Sequence, residues 1–349
     1  MSQSAASFFN NSQQIFNQSP EKPRGLFLVW KQYQRRAEAL TPLLNCHLEF
    51  MPHLFSAKYF RPLDYFVKFL SSIAHAKKYK PQFIVAQCPP IFSAIPARIL
   101  QLPYVIDAHN PLVQVKMWRY IPFTQSLVKH SMALIVHNHE IARLARTIYP
   151  HSKLFTIPDF IKPIHANANT IRQEKKILVI CSFDFWDEPI SVLIESMTQL
   201  KNHIFFITAE TTNLPNKYKR FLQRLSNVRL TGFLPTRDYH ALLCSSSAAL
   251  VLTTREATQP SGACEALASD TPLIVSKTSL TRELFGEWAI LVDNTKESIV
   301  EAVTSLSKKT LDLSAYRNKW NASVKQNVYS LRWHILECVL KDGTSKEIT

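Results

Sequence analysis

Short apolar stretches alternate with longer amphipathic ones along this chain, and the alternation is played through twice. In the first series the stretches are Gly25 to Val29, Leu48 to Phe50, Phe83 to Ala86, Tyr104 to Ile106, Ala133 to Val136 and Leu154 to Ile157. They are too short for helices and read as buried strands. Lys31 to Leu44, Arg61 to Lys78, Phe92 to Leu100, Leu112 to Lys129 and His139 to Ile148 lie between them in helical spacing. Pro158, Pro163 and a polar Asn/Ala stretch then break the pattern. It restarts at Ile177 to Ile180 and continues through strands at Ile204 to Thr208, Val228 to Leu230, Ala248 to Leu252, Pro272 to Val275 and Ile290 to Val292. Such alternation predicts parallel sheets covered on both faces. The expected organisation is a disordered tail at 1–23, Rossmann-like domains at 24–157 and 177–312, a linker at 158–176, and a C-terminal helical segment and tail at 313–349. Ligands are expected at strand C-terminal ends, in a cleft that the two domains face.

Composition excludes several classes. At 349 residues and 46% hydrophobic, the chain suits two domains with substantial cores. No apolar stretch approaches the roughly 20 residues of a spanning helix, and the polar start has no signal core. Six scattered cysteines without a CxxC pair point to buried free thiols in a reducing cytoplasm. Forty-one Lys and Arg against 26 Asp and Glu leave a formal charge of +15, which favours an anionic partner. No zinc spacing or RNA-binding signature accompanies the charge, so no specific nucleic acid is expected.

The densest chemistry lies between Thr253 and Ala268. A buried strand ends in a polar loop, and a short helix opens near Pro260 to Gly262. Ser261 can cap that helix, and Gly262 admits close approach of a ligand. The N–H groups of the first turn, around Ser261, Gly262 and Ala263, would face an anion above the strand ends. Glu265, one turn in, could accept hydroxyl hydrogen bonds beside it. A diphosphate on the helix and a ribose on Glu265 would suit a sugar nucleotide. An ordinary capped helix with a solvated Glu is the alternative.

The stretch Glu265-Ala266-Leu267-Ala268-Ser269-Asp270-Thr271-Pro272-Leu273-Ile274-Val275-Ser276 resembles the donor-site signature of GT-B glycosyltransferases, particularly the retaining family 4. Asp270 stands where that family has Gly, and Asp tolerates the left-handed conformation that ends a helix. The position eight before Glu265 is Ala257, with Glu256 one place earlier; the resemblance makes Glu256 the candidate catalytic carboxylate. Val228 to Pro235 and Tyr239 to Leu250 are similar to the family's next motif, which implies that Gly232 and Phe233 line a base pocket. The likeness covers 177–292 well and the first half only loosely. The family's basic diphosphate clamp is replaced by Ser182-Phe183-Asp184-Phe185-Trp186-Asp187-Glu188-Pro189, whose acidic pair resembles the chitobiosyl-lipid β-mannosyltransferases. Arg255, Lys277 or Arg282 would then meet the phosphates, while Asp187 and Glu188 are equally readable as caps of the next helix.

In the first half, Asp107-Ala108-His109-Asn110 follows a buried strand. By the resemblance His109 contacts the transferred sugar or the acceptor; the alternative is a turn with a solvent-facing His. Tyr33, Arg35 and Arg36, after the first strand, are candidate acceptor or phosphate contacts, or else the exposed face of a helix. Asn138, between His137 and His139, reads as a helix cap. The segment Lys58 to Lys80 mixes aromatics with lysines. Phe66, Leu70, Ile73 and Ala74 form its expected core face, and Tyr59, Phe60, Tyr65 and Phe69 leave aromatic surface suited to an anionic leaflet, with core packing of a crossover helix as the alternative.

The resemblance implies a metal-independent glycosyltransferase without cofactor, moving a sugar from a nucleotide-sugar donor to a polysaccharide or lipid-linked glycan. Its expected place is the cytoplasm, peripheral at the inner face of the plasma membrane. Closure across the linker would keep water from the donor. No acidic or His metal cluster is visible in the sequence. The rivals are a non-catalytic GT-B-like subunit and a basic nucleic-acid-binding protein.

Overall fold

The computed structural model describes residues 23–55, 57–165, 171–306 and 312–346. Residues 166–170 of the linker, and the expected tail except Pro23, lie outside these. The chain divides into two compact units: the first runs to Pro158 and resumes at Lys325, and the second spans Asp159–Val324.

Unit 1 carries strands β1 (Gly25–Val29), β2 (Cys46–Phe50), β3 (Phe83–Cys88), β4 (Tyr104–Ala108), β5 (Ala133–Val136) and β6 (Leu154–Thr156). They form one parallel sheet in the order β2-β1-β3-β4-β5-β6. Every residue of β1 and β3 is buried, as covered parallel strands require. Each large apolar side chain removed from water there stabilises by about 1.5–3 kcal/mol.

Two helical expectations are corrected. Residues 112–129 are not one helix but part of three short ones, Asn110–Gln114, Lys116–Tyr120 and Thr124–Lys129. Pro122 holds Ile121 out of the helical region (ψ 133°), and Phe123 then turns left-handed at φ 71°. The helix Arg61–Tyr79 forms, but turned away from its expected core face. Phe66 and Leu70 are 57% and 49% exposed, and Ala74 is exposed too. Its buried stripe is Asp64, Lys68, Ser72 and Ala76. Polar partners decide this. Asp64 accepts from the Leu54 N–H and pairs with Lys68 and His53; Lys68 donates to the Trp30 carbonyl, and the Trp30 indole to Ser72. Buried polar groups need such partners, whereas exposed apolar ones cost little.

Unit 2 carries β7 (Gln173–Val179), β8 (Ile204–Ile207), β9 (Val228–Leu230), β10 (Ser246–Val251), β11 (Leu273–Ser276) and β12 (Ile290–Val292), also parallel, in the order β12-β11-β10-β7-β8-β9. Alternate residues of each strand feed two cores. Ile177, Val179 and Leu250 meet Leu193, Met197 and Ile299 on one side. Leu178, Ala249 and Val251 meet Ala263, Leu267 and Phe285 on the other.

The last helix, Ser314–Lys346, begins in unit 2 and continues in unit 1. In unit 1 it buries Val328, Leu331 and Ile335. There the Asn327 amide donates to the Thr156 carbonyl, and the His334 Nε2 lies 2.9 Å from that of Met132.

Candidate active site

In unit 2 the chain order reverses between β7 and β10, so the loops after these strands flank a topological switch point. Both loops are tied together there. Thr253 Oγ1 donates to the Asp187 carboxylate, and the Thr254 N–H and hydroxyl donate to the Asp187 carbonyl. Arg255 lies over the Trp186 ring, Cζ 3.1 Å from its centroid, and its Nε donates to the Trp186 carbonyl. Glu188 accepts from the Ser182 N–H and hydroxyl and from the Asp184 N–H. Burial raises the Glu188 carboxyl, offset by those bonds and reinforced by Asp187 alongside. Neither acid caps the following helix, which starts at Ile190 after Pro189 with no side-chain cap. The loop brings braces to the site, not phosphate-binding charge.

The signature helix is Ser261–Ala268. Ser261 is its first residue, not its cap: the chain enters extended at Pro260, which has no side-chain acceptor. Gly262 is buried, and a Cβ there would lie 2.9 Å from Ile180 and 3.2 Å from Val251. Its missing side chain thus lets the helix N-terminus settle onto the ends of β7 and β10, with Ala263 buried beside it. Glu265 is half-buried, and the Tyr239 hydroxyl donates to it. Glu256 is exposed and accepts from the Ser279 N–H at 2.9 Å, beside the start of helix Ser279–Phe285. Gly232 turns left-handed at φ 64°, and the Phe233 N–H donates to Glu210. The Phe233 ring is 83% exposed. Asp270 adopts φ 53°, the conformation expected where the family has Gly. Its carboxylate accepts from the Leu313 N–H and from Arg317, both at 3.0 Å.

Unit 1 gathers a second polar cluster at the ends of β1, β3, β4 and β5. Arg36 is not on an exposed helix face: its Nε donates to Asp107 at 3.1 Å, with both side chains buried. Asp107 belongs to β4, not to a turn. Burial alone would raise its carboxyl, but Arg36, then His109 and His137, hold it well below the usual carboxylate range. His109 is largely enclosed, its side chain 15% exposed, and Nε2 lies 3.5 Å from Asp107. Its ring meets His137 edge-on at 4.8 Å. Gln34 caps helix Arg35–Leu44 through Oε1, which turns its Nε2 toward His109 at 3.4 Å. Asn138 caps helix His139–Ile148 by accepting from the Ile141 N–H. Tyr33 is 57% exposed and donates to Glu38, while Arg35 is half-buried.

Asp107, His109 and His137 bring possible ligand atoms within 4.8 Å of one another, a grouping that linear spacing hides because adjacent strand ends assemble it. The Arg36 guanidinium already neutralises Asp107, which disfavours a dication there. Sequence reading also missed Gln87, a polar residue in an otherwise apolar strand. It pairs in register with Asp107, and its buried Nε2 has no hydrogen-bond partner among the described residues. Trp186, Tyr239 and Glu210 escaped too, since each acts through a partner distant in sequence.

Two parallel six-stranded sheets flanked by helices define the class: a protein of the GT-B fold. Residues 174–309 match the family described as glycosyl transferases group 1. Three solved structures share the fold. Anabaena HepE, solved with UDP and glucose, is 13% identical with a TM-score of 0.59, covering 94% of this chain and 100% of its own. Sucrose-phosphate synthase from Thermosynechococcus elongatus is 13% identical with a TM-score of 0.63, covering 94% and 98%. UDP-GlcNAc 2-epimerase from Methanocaldococcus jannaschii is 14% identical with a TM-score of 0.55, covering 83% and 94%. No curated protein matches the sequence.

Proposed function

We propose that the protein transfers a sugar from a nucleotide-sugar donor to a polysaccharide or lipid-linked glycan, working peripherally at a membrane face. The observation that carries this reading is the seating of helix Ser261–Ala268 on the unit 2 switch point through Gly262, with Glu265 one turn in. A diphosphate above Ser261, Gly262 and Ala263 would meet backbone N–H groups and the positive end of the helix. These stabilise the charge that develops on the leaving nucleoside diphosphate. Glu265, oriented by Tyr239, accepts from the ribose. Arg255, held over Trp186, is the candidate phosphate contact, and the Gly232–Phe233 turn offers an exposed ring to the base. Glu256 and His109 are the candidate contacts of the reacting sugar, with Tyr33 and Arg35 on the acceptor side and Arg36 holding Asp107 beside His109. HepE, which binds UDP and glucose, supports a uridine nucleotide as the first donor to test. No helix of the described residues is long and apolar enough to cross a membrane.

The acidic brace where a basic clamp would stand favours one other reading, a GT-B-like subunit that binds no donor. Calorimetric titration with a panel of nucleotide sugars separates the two. Donor binding with slow hydrolysis is expected, and silence across the panel would leave the subunit. Glu265→Gln should weaken donor binding by roughly 1–3 kcal/mol, as for loss of a charge-assisted hydrogen bond. An unchanged dissociation constant in the folded variant would remove Glu265 from the site.

A further inference from the structure

The helix Arg61–Tyr79 buries a polar stripe and leaves Leu63, Phe66, Val67 and Leu70 between 38% and 57% exposed. Residues three and four apart share one helix face, so these four form a continuous apolar stripe. Tyr59 and Phe60, just before it, are 78% and 41% exposed. Asp64 is the helix's single acid, and it is buried against Lys68 and Arg61. The outward face therefore carries no negative charge, while Lys77, Lys78 and Lys80 are exposed at its C-terminal end.

A second apolar patch stands in the same unit. Met117, Tyr120 and Phe123 are 61%, 78% and 70% exposed, beside the exposed Lys116. Helix Thr124–Lys129, which packs on Lys116–Tyr120, also packs against the turn Ile91–Ala94, as does helix Arg61–Tyr79. The two patches thus flank one shared support. Apolar surface of this extent with a basic rim marks an interaction site.

We propose that these patches are a docking surface for an anionic bilayer. The aliphatic and aromatic side chains enter the boundary between headgroups and acyl chains, tyrosines lie at headgroup level, and the lysines meet phospholipid phosphates. Charge decides the occupant: a rim of lysines on a chain of formal charge +15 complements an extended anionic surface. This deepens the membrane-facing part of the proposed function and rests on it only for what docking serves, because binding is measured without sugar transfer.

The test is flotation of the full chain with vesicles of phosphatidylcholine alone or of equal parts phosphatidylcholine and phosphatidylglycerol. Binding is expected on the anionic vesicles only, falling as salt rises. The exposed-face variant Phe66→Gln/Leu70→Gln should bind about tenfold more weakly, as should Tyr120→Ser/Phe123→Ser. Lys77→Gln/Lys78→Gln/Lys80→Gln should flatten the salt dependence. Equal binding to both vesicles, none to either, or full binding by the Phe66/Leu70 variant would overturn the proposal. So would a wild-type dimer in sedimentation that this variant dissolves, which would assign the stripe to a second copy. Donor titrations of the same variants should match wild type. A donor failure would count against the donor site and leave the vesicle result standing.

Discussion

Arg36 and Asp107 meet 3.1 Å apart with almost no solvent on either side chain. The carboxyl is held well below its unfolded value of about 3.9, chiefly by Arg36 against the cost of burial. A depressed carboxyl stabilises the fold fully above the unfolded value, and that stability is lost as pH falls from about 4 toward the folded one. Arg36→Met should destabilise by about 3–5 kcal/mol at neutral pH, because the carboxylate stays buried without its counter-charge. Burial would then raise Asp107, so the deficit should shrink as acid protonates it. Urea midpoints of both proteins, followed from neutral pH downward, check this; a deficit that ignores pH would rule out the charge explanation. His109, beside the pair, is argued differently. His109→Ala should lower transfer strongly while nucleoside diphosphate affinity stays near wild type, since Glu265 and the signature helix belong to unit 2. Near-normal transfer would leave His109 a packing residue.

Helix Ser261–Ala268 can sit on the strand ends only while position 262 lacks a side chain. Gly262→Ala should cost roughly 1–3 kcal/mol of stability, as overpacking does, and weaken nucleoside diphosphate binding in the folded fraction. Thermal unfolding and calorimetry report the two effects; a stable variant with full affinity would show that Ile180 gives way freely. The existence and order of the elements were legible in the sequence. Parallel strands buried on both faces read as uninterrupted apolar stretches, as Phe83 to Ala86 does, and Asp270 revealed its left-handed turn by standing where glycine is usual. Orientation was less legible. On helix Arg61–Tyr79 apolar periodicity points Phe66 and Leu70 inward, yet Asp64 and Lys68 have partners at His53 and Trp30 that no periodicity announces. At the site, local geometry such as the Asn138 cap was readable. Ties across long sequence separations, Asp187 to Thr253 or Gln34 to His109, depend on which strands end side by side.

At the scale of the whole molecule, two compact units with separate cores make a single two-state transition a poor expectation. A ligand held by one unit should protect that unit first. Uridine diphosphate at a hundred times its dissociation constant would add about 2.7 kcal/mol to the unit that binds it. Scanning calorimetry should show one component rising in temperature with nucleotide while the remainder stays. No shift in any component would remove nucleotide binding from unit 2. The last helix has a practical consequence for taking the protein apart. Unit 2 is one uninterrupted stretch, Asp159–Val324, suited to expression as a fragment. Unit 1 is stitched from two pieces, and a fragment cut at Pro158 would leave out the segment carrying Val328, Leu331 and Ile335. Such a truncation should be prone to aggregate unless residues 325–346 are spliced back on, so the partner to bring to any isolated unit 1 is its own C-terminal helix.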